Sequence, residues 1–99
     1  MPNVVRMTPK VCAMPDDKHE NLYIEIELPG VDKDQINLNM HDESFFVTAK
    51  KEGVEYSGTY AVCCPIDYHQ AKARYKNGLL SVTVPFRANT AKCKSIPIE

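Results

Sequence analysis

Leu22-Tyr23-Ile24-Glu25-Ile26-Glu27-Leu28 alternates without a break. In an extended chain Leu22, Ile24, Ile26 and Leu28 point to one side and Tyr23, Glu25 and Glu27 to the other, the period of two that marks a half-buried β-strand. Pro29-Gly30 ends the run, because proline has no amide to give the ladder and glycine tolerates a turn. Downstream, Ile36, Leu38 and Met40 alternate with Asn37, Asn39 and His41 and predict a second strand. Asp42 to Ser44 make a turn, and Phe45-Phe46-Val47-Thr48-Ala49 follows with aromatic and β-branched residues. Lys50-Lys51-Glu52-Gly53 closes that strand as a charged loop.

Tyr56 to Cys64 reads as a fourth strand stopped by Pro65, and Ala71 to Tyr75 as a fifth whose Lys and Arg mark an edge or exposed face. Asn77-Gly78 is the sharpest turn signal in the chain. It leads into Leu79 to Val84, where Leu80, Val82 and Val84 share one face and Pro85 stops the strand. Upstream, Val11-Cys12-Ala13 lies between Pro9 and Pro15 and predicts an edge strand guarded by a proline at each end. No stretch of ten residues carries a helical apolar period. Strands every eight to twelve residues with turns between them predict an all-β, antiparallel sandwich. The expected organisation is a short amino-terminal arm over 1–20, with the edge strand near 11–13, a sandwich over 21–86, and a carboxy-terminal tether and anchor over 87–99.

The 99 residues are 43% apolar and 25% charged, with a net charge of −1, the composition of one ordinary globular domain. The charges are interspersed, and no basic stripe exists to neutralise phosphates, so nucleic acid is not an expected partner. The apolar runs are four or five residues long, far short of a membrane span. MPNVVRMTPK lacks the apolar region of a secretory signal, so the expected address is cytoplasmic. In that compartment the four cysteines are expected to be thiols. Cys63 and Cys64 are neighbours and point to opposite faces of a strand, Cys12 and Cys93 stand alone, and there is no C-x-x-C.

His19, His41 and His69 sit in polar surroundings at no metal-binding spacing, so exposed histidines are the expected reading and no metal or other cofactor is expected. Cys63 or Cys64 with His69 is the one candidate for a thiol and base; a strand cysteine packed as a small apolar side chain is the simpler account. Without a phosphate loop, a G-x-S-x-G or a glycine-rich dinucleotide turn, the chain is not expected to be an enzyme. Lys50-Lys51-Glu52 and Asp16-Asp17-Lys18 are solvated loop charges.

Ile96-Pro97-Ile98 carries a physical mechanism of its own. Residues two apart in an extended chain point the same way, so Ile96 and Ile98 form paired knobs, and Pro97 restricts the backbone between them. Such a tail suits an apolar groove at a sheet edge. The nine residues from Arg87 to Ser95 span at most about 30 Å, enough to reach a groove on the same domain or a neighbour. The other reading of the same three residues is a last core strand of the sandwich.

Together these stretches resemble the α-crystallin domain of the small heat shock proteins, the Hsp20 family. Ala73-Arg74-Tyr75-Lys76-Asn77-Gly78-Leu79-Leu80 is similar to that family's A-x-x-x-n-G-v-L motif, continued by Ser81 to Pro85. Glu27 to Val31 followed by Asp34-Gln35-Ile36 resembles its D-L-P-G-v…e-d-I stretch, and Ile96-Pro97-Ile98 its carboxy-terminal I-x-I anchor. The resemblance runs from about Pro9 to Glu99, with three motifs in the family's order. It implies an immunoglobulin-like antiparallel β-sandwich and an ATP-independent chaperone that holds partly unfolded client proteins and assembles as a homo-oligomer. It further implies that Ile96, Pro97 and Ile98 dock, usually on another subunit, in a groove lined by Ile36, Leu38, Met40, Ala71, Ala73 and Tyr75. Ala73, Asn77, Gly78, Leu79 and Leu80 then form the turn motif, with Gly78 at the tight position.

Two features depart from that pattern. Many members carry a long loop, with a strand exchanged between partners, before the strand corresponding to Tyr56 to Cys64. Here about four residues, Glu52 to Glu55, separate the strands. The arm before Leu22 is also short, although Val4, Val5 and Met7 offer a small apolar patch. A dimer or small oligomer is therefore expected rather than a large shell. The short loop is also similar to the CS domains of p23-type co-chaperones, which implies the alternative of an adaptor for one specific folded protein.

Overall fold

The computed structural model describes residues 4–62, 64–87 and 98. The described residues form eight strands: β1 (Val5–Met7), β2 (Lys10–Pro15), β3 (Asn21–Glu27), β4 (Ile36–Met40), β5 (Ser44–Lys51), β6 (Val54–Ala61), β7 (Lys72–Lys76) and β8 (Leu79–Pro85). They form two four-stranded sheets, ordered β1-β6-β5-β4 and β2-β3-β8-β7. The chain is all-β and folds as a sandwich.

The alternating segments supply the two inner faces. Leu22, Ile24 and Ile26 of β3 and Leu80, Val82 and Val84 of β8 close one side, and Phe45, Val47 and Ala49 of β5 with Tyr56 of β6 close the other; all are buried. Full burial of an aliphatic or phenyl side chain contributes roughly 1.5–3 kcal/mol. These rows therefore supply the bulk of the fold's driving force. Leu28 and Val31 seal the crossover from β3 to β4, and Ile66 bridges to Phe86 where the chain returns from β6 to β7. The core contains no buried charged or polar residue among the described residues.

Turn chemistry fixes register. Asn77 (φ 53°) and Gly78 (φ 81°) are both left-handed, the pair a two-residue type I′ hairpin requires, and they set Lys76 opposite Leu79. A Cβ on Gly78 would stand 3.1 Å from Pro29 Cα, so this glycine also lets the hairpin close onto the end of β3, where Leu28 N donates to Gly78 O at 2.8 Å.

The strand expected over Tyr56 to Cys64 instead runs Val54–Ala61. It begins earlier because Glu52-Gly53, with Gly53 at φ 77°, reverses the chain in two residues and pairs Lys51 with Val54. It stops at Ala61 because the next amide, Val62 N, donates to Glu43 O across the β4–β5 turn. The other departure is β1, which the sequence presented as an apolar patch of the arm. Val5–Met7 pairs parallel with Val54–Tyr56, in a sandwich otherwise paired antiparallel among the described residues. It satisfies the outer edge of β6 while leaving Val4, Val5 and Met7 about half exposed.

Candidate functional site

β4 and β7 are each the last strand of their sheet, and along this margin the sandwich opens into a groove. The groove encloses about 180 Å³ and is lined by Lys33, Ile36, Leu38, Ala73, Tyr75 and Leu80. That is below the roughly 300–1,000 Å³ of small-molecule pockets and suits one or two aliphatic side chains. Ile36 and Leu38 point inward from β4 because the period of two that buries Ile24 and Ile26 operates here too, but among the described residues no outer strand covers them and both are only partly buried. Ala73 and Tyr75 face them from β7, and Leu80, almost fully buried, forms the floor. Lys33, in the 3-10 turn Lys33–Gln35, places the one cation of the lining beside the start of β4. The Tyr75 hydroxyl donates to Leu28 O at 2.6 Å, which satisfies its polar end and holds the ring as an apolar wall.

Of the six groove residues expected from sequence, Ile36, Leu38, Ala73 and Tyr75 line this opening. Met40 and Ala71 do not line it; both pack partly buried against the core, Met40 at the far end of β4 and Ala71 just before β7. Leu80 and Lys33 were missed. Leu80 was read from sequence as a core residue of β8 and a member of the turn motif but not as part of the groove, and it serves both the core and the groove because β7 is too short and too small at Ala73 to cover it.

Within the expected anchor, Ile96 and Pro97 lie outside the described residues. Ile98 is 97% exposed, so in a single chain its side chain does not fill the groove. The turn motif places Ala73 and Leu80 in the groove, Asn77 and Gly78 at the hairpin and Leu79 on the outer face of the sheet. Val11, Cys12 and Ala13 fall in β2, paired with β3 on one side and forming the other end of that sheet.

Nothing in the described residues assembles catalytic machinery. Among the described residues no three metal-binding side chains come together. His69 lies against the Tyr68 ring with centroids 4.4 Å apart. Cys12 is an exposed free thiol, whereas Cys64 is disulfide-bonded, which corrects the expectation of four thiols; Cys63 lies outside the described residues. A surface hollow of about 570 Å³ is rimmed by His41, Asp42, Glu43, Tyr68 and Arg87. Two of its charged groups pair with each other, Arg87 donating to Asp42 at 2.8 Å. No helix among the described residues is long and apolar enough to cross a membrane.

Comparison with known proteins agrees with this architecture. The profile of the Hsp20/alpha crystallin family matches residues 15–99. A probable 15 kDa heat shock protein of Leptospira interrogans is 24% identical over 100 residues, covering 87% of this chain and 75% of that protein. Small heat shock protein C4 of Rickettsia felis is 26% identical over 99 residues, covering 84% of this chain and 60% of that one. Among solved structures, heat shock protein 16.0 from Schizosaccharomyces pombe superposes with a TM-score of 0.74 at 20% identity, covering 95% of this chain and 77% of that one. The hspA protein of Xanthomonas axonopodis gives 0.69 at 20% identity, with 82% and 95% covered. Members of this family act as ATP-independent chaperones rather than as enzymes, and the chain, matched over most of its length, belongs to the Hsp20/alpha crystallin family.

Proposed function

We propose that this chain is an ATP-independent holdase of the cytoplasm, which binds partly unfolded proteins through apolar grooves and strand edges and keeps them from aggregating. The observation that carries the reading is the groove between β4 and β7. Its walls at Ile36, Leu38 and Ala73 are incompletely buried, and among the described residues the two edge strands that flank it each have a neighbour on one side only. An extended apolar segment gains there by burying alternate side chains while its backbone adds to an edge. In the resting protein the segment that fills it is Ile96-Pro97-Ile98 of another copy, consistent with the exposure of Ile98 in its own chain. Burying two isoleucines contributes roughly 1.5–3 kcal/mol each, part of which is lost in ordering the tail, so the contact is reversible and a client can displace it.

The test is suppression of light scattering from a heat-unfolding client at near-equimolar ratio without ATP. Full-length chain should suppress it, and absence of suppression at every ratio would reject the holdase reading. One observation favours a second reading, an adaptor of the p23 type for one folded partner: β5 and β6 are joined by the two-residue turn Glu52-Gly53, which leaves no strand there to exchange. Affinity capture from heated extract separates the two. A holdase recovers many unrelated proteins, and an adaptor recovers one dominant species from unheated extract as well.

A further inference from the structure

The outer face of the β2-β3-β8-β7 sheet carries opposite charges on the two strands that flank β8. Pairing register sets them in rows: Glu27, Leu79 and Lys76 stand side by side, as do Glu25, Ser81 and Arg74, and Tyr23, Thr83 and Lys72. β3 is therefore an acidic stripe and β7 a basic one, each about 4.8 Å from β8 between them. All five charged side chains are exposed. Among the described residues neither Glu25 nor any of the three cations has an ion-pair partner within 4 Å, and Glu27 has only Lys10 at 3.8 Å on an open surface.

We propose that this face is a docking surface for a second copy of the same chain, packed face to face about a two-fold axis that runs along β8. A rotation of 180° about that axis keeps position along the strands and exchanges left for right. It lays the acidic stripe of each copy on the basic stripe of the other, in register: Glu27 meets Lys76, Glu25 meets Arg74, and the Tyr23 ring meets Lys72. Each pairing occurs twice, as an isologous interface requires. The small side chain of Ser81 lies on the axis between the charged rows and admits close approach. Packed sheets sit about 10 Å apart and cross at about 30°. One row away from Ser81 the lateral offset is then roughly 3.5 Å, within reach of the long Glu, Lys and Arg side chains. A partner carrying a single sign of charge would be repelled by one of the two stripes, whereas a second copy matches both. The face lies on the opposite side of β7 from the groove, because Arg74 alternates with Ala73 and Tyr75, so both contacts can form at once.

The test uses the full chain with Cys12, and whichever of Cys63 and Cys93 is not bonded to Cys64, replaced by serine, with S81C on the axis and, as a separate variant, T59C on the exposed outer face of the other sheet. Under mild oxidation at low ionic strength, S81C should cross-link between chains about five-fold faster than T59C, and about 0.5 M salt should remove the difference. E25K/E27K and R74E/K76E, each added to S81C, should reduce the rate to that of T59C, and mixing the two charge variants should restore cross-linking between them. Equal rates for S81C and T59C, or an S81C rate indifferent to both charge reversals, would overturn the interface. The comparison is repeated with Ile96→Ala and Ile98→Ala. Survival of the S81C cross-link there supports a surface independent of the tail, and its loss would overturn that independence and the interface with it.

Discussion

The Tyr75 hydroxyl reaches past β8 to the carbonyl of Leu28, 47 residues earlier, and so ties one wall of the groove to the end of β3 on the other side of β8. The bond lets a half-buried tyrosine present its ring to an apolar slot without an unpaired hydroxyl beneath it. Tyr75→Phe keeps the wall and removes the tie. It should lower stability by about 0.5–1.5 kcal/mol, the usual net worth of such a bond, and leave binding of a tail peptide containing Ile96-Pro97-Ile98 nearly intact. Tyr75→Ala removes both wall and tie and should weaken that binding as well. Urea unfolding with peptide titration distinguishes the two outcomes.

Gly78 is held by two constraints at once, a left-handed φ of 81° and the 3.1 Å approach of Pro29 Cα to the position its Cβ would occupy. Gly78→Ala is therefore expected to cost about 1–3 kcal/mol, since backbone strain and a close contact with backbone add. Asn77→Gly, at φ 53° in the same turn, should be nearly neutral or slightly stabilising because glycine adopts that conformation freely. Thermal unfolding of the pair shows whether the strain sits at Gly78, and equal midpoints would contradict the account.

Much of this was legible because the chain states its periods openly. Leu22 to Leu28 alternates over seven residues, and β3 follows it to within one residue at each end; Ile36–Met40 is β4 as read. Asn77-Gly78 announces its turn by composition alone. β1 could not be read this way: three residues, Val5–Met7, show no period, and their parallel pairing with β6 depends on where the arm crosses the sandwich. The apolar patch of Val4, Val5 and Met7 was the signal there. The groove was read in part for a related reason. Alternation says that Ile36, Leu38 and Met40 share a face, but how far along β4 the two sheets part is set by Leu80 beneath and Lys33 at the end, which belong to other elements.

Asp16 gives the fold an acid-sensitive joint between β2 and β3. Burial raises its pKa, but the hydrogen bonds from Glu20 N at 2.8 Å and from Asn21 at 3.2 Å outweigh that and hold the carboxyl below its ordinary 3.8. A carboxylate whose folded-state pKa is depressed contributes stability above its unfolded pKa and loses it as the pH falls through the folded value. Asp16→Asn should therefore be less stable than the parent at pH 7, and the gap should close below about pH 4 as the parent's carboxyl takes up its proton. Urea midpoints from pH 2.5 to 7 would show it; a constant gap would mean that charge plays no part.

Ala73 is the position at which the groove can be closed without touching the core, because it is exposed, lines the slot, and faces Ile36 and Leu38 across it. Ala73→Trp should fill the slot with its own indole. The fold should survive, since surface substitutions of this kind usually change stability by less than about 0.5 kcal/mol. If the tail of one copy occupies this groove on another, then Ala73→Trp must reduce the solution mass as far as Ile96→Ala with Ile98→Ala does, and the three changes combined must reduce it no further. Non-additivity of that kind is the mark of two changes acting on one contact. Light scattering on the three proteins decides the matter: a mass lowered by the tail variant alone would place the isoleucines elsewhere, and full additivity would divide assembly between two separate surfaces.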